Sequence, residues 1–137
     1  MANSLYNKAR ESFLSQNPAI DWDTDTIKVV LVDVGAYTVN LATHQYLSDI
    51  ASGARIATSG ALTGKTVAAG VADAADVTLA AVTGVSVEAL VIYKDTGSAA
   101  TSPLIAYLDT VTGLPFTPSG SDVTIMWDDG ANKIFKL

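Results

Sequence analysis

The chain has 137 residues, with 8 Lys and Arg against 14 Asp and Glu, a formal charge of −6 and no cysteine. The length fits one domain that buries its own core without a staple. The missing thiols exclude disulfide frameworks and thiolate metal sites, and the acidic balance argues against a basic face for nucleic acid. Apolar residues reach 49% while charged residues are only 16%, which fits either surface covered by self-association or a partner, or a Thr/Ala/Gly-rich β-protein whose small residues raise its hydropathy.

Residues 3–16 read as a helix. Leu5, Ala9 and Phe13 recur at four-residue spacing, Asn3 or Ser4 is placed to cap the start, and Pro18 stops the run. Lys8, Arg10 and Glu11 stand where a secretory signal would need apolar residues, which points to synthesis and retention in a cytoplasm. Asp21, Asp23 and Asp25 alternate like the opening of a calcium loop. The sixth and twelfth positions are Thr26 and Val32 rather than Gly and Glu, so the segment reads as a solvated turn with Trp22 as a core lid.

Residues 27–34 (IKVVLVDV) form the strongest strand, apolar on both faces and therefore expected to lie between two layers. Residues 43–50 read as a short helical turn or ordered loop around His44, the single histidine. One imidazole without a nucleophile motif, a second histidine or cysteine carries neither a triad nor a zinc site.

Beyond residue 53, short Val/Thr/Ala/Ile runs alternate with glycines. Strands are expected near 54–59, 65–71, 75–82, 86–95, 103–110, 121–127 and 132–137, with the last two joined as a hairpin across Asp128-Asp129-Gly130. Gly60 and Gly64-Lys65-Thr66 imitate a phosphate loop, but only three residues separate the glycines, so a turn is expected. Asp33, Asp95, Asp109 and Asp128 fall at strand ends, where turn chemistry accounts for them without a catalytic pair.

The expected fold is mainly β: one domain over 1–137, an antiparallel, jelly-roll-like β-sandwich over 26–137 with an N-terminal helix at 3–16. No catalytic, cofactor or metal set is visible, so neither enzyme activity nor a cofactor is expected. No apolar run approaches the ~18 residues of a membrane span.

The segments LYNKARESFLSQ, IDWDTDTIKVVLVD, ALTGKTVAAGVADAADVTL, VEALVIYKDTG, LIAYLDTVTGLP and WDDGANKIFKL together cover most of the chain. They resemble small virion proteins of tailed bacteriophages, most closely capsid decoration or cement proteins. The resemblance implies a homodimer or homotrimer on the capsid exterior, assembled in the host cytoplasm, that bridges subunits of the major capsid protein and stabilises the head. It supplies no site residues. The irregular segments propose them instead: Tyr37, His44 and Tyr46 in the 35–53 stretch and Phe116 in the 113–120 loop, together with the arm before Leu5. A tail or fibre component that binds a host receptor or glycan is the alternative; a small glycan hydrolase is a further one.

Overall fold

A computed structural model describes residues 3–137. The chain is mainly β, with 30% strand against 13% helix, antiparallel sheets and one α-helix near the N-terminus. Ten strands follow the order β1 (Ser4–Leu5), β2 (Ile27–Val32), β3 (Arg55–Thr58), β4 (Thr66–Ala68), β5 (Val71–Asp73), β6 (Val77–Leu79), β7 (Ala89–Lys94), β8 (Leu104–Leu108), β9 (Val123–Ile125) and β10 (Phe135–Lys136). The helix α1 (Asn7–Ser15) lies between β1 and β2.

The frame is a five-stranded sheet in the order β1-β8-β7-β2-β3. Its central strands are apolar on both faces because both faces are covered. Ile27, Val29 and Leu31 of β2, with Leu90 and Ile92 of β7, pack against Leu62, Ala72, Leu79 and Ile125 of a second β layer. Val30, Val32, Val91 and Tyr93 face the other way, onto Tyr6, Ala9, Tyr37, Leu47 and Ile50. The second β layer consists of two small sheets, β10-β5-β4 and β6-β9. The sandwich is thus lopsided, with α1 and the 37–54 segment forming a third layer outside the large sheet.

The helix starts later than the apolar spacing suggests. Ser4 and Leu5 pair with Tyr107 and Ala106 at the sheet edge, and Tyr6 N–H donates to Ile105 O at 3.1 Å. The register from Ile92–Ala106 to Tyr93–Leu104 skips Ile105. This bulge leaves the Ile105 carbonyl free for the incoming chain. Leu5, Ala9 and Phe13 consequently do not form one helix stripe; Ala9 and Ser12 are the helix's buried residues. Helix α1 has no side-chain N-cap, and Gln16 ends it in the left-handed region at φ 56°.

Two further expectations change. Residues 65–71 are two strands: β4 and β5 pair with Ala68 opposite Val71. The two residues between them, Ala69 and Gly70, sit at φ 53° and 76°, as a tight two-residue hairpin demands. Residues 121–137 form no hairpin. β9 pairs with β6 and β10 with β5, so the intervening Asp-Asp-Gly is a crossing between sheets. Asp128 Oδ1 accepts from Gly130 N–H at 3.2 Å, an Asx turn that satisfies the Asp-Gly signal locally.

Candidate functional site

The 37–54 segment lies on the helix side of the large sheet and is stitched down at several points. Asn7 N–H donates to Leu41 O at 2.8 Å, Leu47 N–H to Ser102 O at 2.9 Å, and Leu104 N–H to Gln45 O at 2.8 Å. Asp49 Oδ2 accepts from the backbone N–H groups of Gln45 and Tyr46 at 2.7 and 3.0 Å. That carboxylate caps the short 3-10 turn Leu47–Asp49.

Beneath this segment runs a chain of side-chain hydrogen bonds. Tyr6 Oη lies 3.0 Å from Tyr37 Oη, which lies 2.8 Å from His44 Nδ1. Asn40 N–H donates to the same Nδ1 at 3.3 Å, so Nδ1 is an acceptor and the ring proton belongs on Nε2. The Tyr37 hydroxyl then donates to His44 and accepts from Tyr6. Tyr6 is fully buried and Tyr37 only 4% exposed. Burial raises both phenol pKa values, Tyr37 to about 12, because a phenolate there would lose its water.

These positions sort the four candidate contact residues. The Tyr37 side chain is a packing element and is withdrawn from the surface. His44 and Tyr46 are half-buried and reach the outside; Tyr46 also makes a bridge to Pro103. Phe116 is elsewhere. It exchanges both backbone hydrogen bonds with Val87, at 2.8 and 3.0 Å, and its half-buried ring packs on the core beneath the second layer. The arm before Leu5 is partly tied down as well: Asn3 Oδ1 accepts from Asp109 and Thr110 N–H at 2.9 and 2.8 Å. Residues 1 and 2 lie outside the described residues.

Sequence reading missed a cleft of about 640 Å³. It opens between the 110–116 loop and the run from Asp122 through Asp128, with Leu31, Leu90 and Leu108 at its floor. Its lining joins the 110–128 stretch to Asn3, Leu31, Leu90 and Lys133, residues far apart in sequence. Of the four predicted contact residues Phe116 lines it, as does Asn3 of the predicted arm.

The remaining motifs are structural. Asp21 Oδ1 accepts from Thr24 N–H, Asp25 Oδ2 from Asp21 N–H, and Asp25 also meets Lys94 Nζ at 3.1 Å. Trp22 is buried as a lid, its Nε1 donating to Asp73 O at 2.9 Å. Gly64 occupies a left-handed turn and β4 follows it, where a phosphate loop requires a helix. Lys65 Nζ bonds Asp25 O. Asp33, Asp95 and Asp128 each accept from the glycine two residues on. Among the described residues no cluster of three or more His, Cys, Asp or Glu is arranged to hold a metal, and no helix is long and apolar enough to cross a membrane.

No protein-family model matches the chain, and no curated protein matches it.

Proposed function

We propose that the protein is a structural component of a tailed-phage virion, a capsid decoration protein that self-associates and bridges subunits of the major capsid protein. The observation that carries this reading is the resemblance of its segments, from the Leu5–Gln16 run to the closing WDDGANKIFKL, to small phage virion proteins. The architecture supports it in two ways. A sandwich buried on both faces of its main sheet presents a stiff body, which loses little freedom on docking. Half-buried His44, Tyr46 and Phe116, two polar aromatics and one apolar, sit on loops held by backbone hydrogen bonds. Many copies on a lattice would add weak contacts into firm attachment.

Copy number per particle tests the reading. Hundreds of copies per virion on the head support it. A handful of copies at the tail would transfer the protein to the receptor-binding class, and its absence from particles would leave an accessory activity.

A further inference from the structure

The cleft has three features that specify an occupant. Its floor is apolar, from Leu31, Leu90 and Leu108. One wall is a strand edge: β9 is hydrogen-bonded only to β6, and among the described residues no backbone hydrogen bond is made from its other side. Residues Val123 to Trp127 all line the cleft. An open strand edge beside an apolar trough is the geometry that accepts an added strand, with main-chain bonds for affinity and alternate side chains for selectivity.

The third feature is charge. Asp122 Oδ1 accepts from Ala81 N–H at 3.0 Å and Asp128 Oδ1 from Gly130 N–H at 3.2 Å, which leaves Oδ2 of each without a partner among the described residues. The cleft's cation, Lys133, is turned to Asp73 at 3.5 Å. The rim is therefore a net acceptor of positive charge.

We propose that this cleft receives an extended segment of a partner chain, added alongside β9, with apolar side chains on the trough and a Lys or Arg meeting Asp122 and Asp128. The proposal rests on the reading of the protein as a lattice-bound component and names the chemistry of the segment it grips. The opposite wall is held at its end, since the Phe116–Val87 bonds pin the 110–116 loop to the residues just before β7. A rigid wall and a preformed trough favour a short strand over a flexible ligand.

The test titrates the full-length protein with two eight-residue peptides, one alternating Val and Lys, the other alternating Val and Glu, and follows backbone amide shifts. The Val/Lys peptide should shift the amides of 123–127 and 110–116 saturably, and the Val/Glu peptide should bind at least about tenfold more weakly. The double variant Asp122→Asn with Asp128→Asn keeps both turn acceptors and should lose most of that discrimination. Thr112→Trp, an exposed position on the cleft wall, should block binding with an unchanged melting temperature. Equal binding of both peptides, shifts confined to other surfaces, or no shifts overturns the proposal. Dilution alone moving the 123–127 amides also overturns it, because a second copy then fills the cleft. On capsids lacking the protein, wild type and the Asn variant adding equally well would overturn the cleft while leaving the decoration reading intact. Wild type failing to add while the Val/Lys peptide still binds would sink the decoration reading alone.

Discussion

Tyr6 Oη and Tyr37 Oη lie 3.0 Å apart under the 37–54 segment, joining the residue that precedes α1 to a loop thirty-one positions later. Tyr6 has one described hydroxyl partner and no access to water. Removing the Tyr37 hydroxyl therefore strands it. Tyr37→Phe should cost about 1–3 kcal/mol in urea unfolding, and Tyr6→Phe about as much. The double variant should cost less than the sum, because each single change already breaks the shared bond. Strict additivity would show that the hydroxyls act independently.

The same burial sets the alkaline limit. Desolvation raises the pKa of Tyr37 to about 12 and pushes Tyr6, Tyr93 and Tyr107 upward too. The folded chain thus keeps protons that the unfolded chain releases near pH ~10. This contribution is complete below about pH 10 and falls as pH rises through the folded-state values. The urea midpoint should drop between pH ~10 and ~12, and Tyr37→Phe should show a shallower drop. A midpoint flat over that interval would contradict the burial of these phenols.

On the acid side, Lys28 Nζ stands 2.7 Å from Asp95 Oδ2 and, with the Gly97 N–H, holds that carboxyl below the usual carboxylate range. Its stabilisation is present above the unfolded pKa of ~4 and is lost as pH falls through the lowered folded value. Both side chains are about a quarter exposed, so screening keeps the effect small. Asp95→Asn should lower the midpoint at pH 7 and converge with wild type at pH 2; a difference unchanged at pH 2 would assign the loss to the Gly97 turn instead.

Ser59 continues the ladder past the end of β3: its Oγ accepts from Val29 N–H at 2.9 Å while its own N–H donates to Val29 O at 2.8 Å. Ser59→Ala leaves a buried amide unsatisfied and should cost about 1–3 kcal/mol. A loss well under that range would mean water reaches Val29.

The β4–β5 turn offers the opposite sign. Ala69 is exposed at φ 53°, a conformation that costs an L-residue with a Cβ roughly 1 kcal/mol or more. Ala69→Asn creates the Asn-Gly pair that this turn favours and should raise stability by a substantial part of that. Gly70→Ala, at φ 76°, should lower it.

The parts of the fold legible in the sequence are those written in local pattern. β2, β7 and β8 were readable as strands from their Val, Ile and Leu runs, and for β2, apolar on both faces, the coverage of both faces followed from that. What escaped was pairing. Leu5 obeys the helical spacing yet is drawn into β1 by the Ile105 bulge, and Asp128-Gly130 carries a hairpin signal that a local Asx turn consumes. The cleft was illegible for the same reason, since its lining combines the 110–128 stretch with Asn3, Leu31, Leu90 and Lys133, which only the tertiary fold brings together. Of the four contact candidates, Tyr37 shows the limit of reading an aromatic in an irregular stretch as surface: loop residues also build core where a short helix covers only part of a sheet face.

The central claim is attachment to a phage head, and the most direct measurement adds the purified protein to expanded capsids that lack it. Occupancy should rise to a plateau with a fixed ratio to major capsid subunits, and the loaded capsids should withstand a higher temperature than bare ones. The charges proposed at the contact are the exposed Asp122 and Asp128, so any loss of uptake in high salt should trace to them and be absent from the double Asn variant. Capsids that take up no protein, with the same preparation labelling tail tips or host cells, would contradict the account.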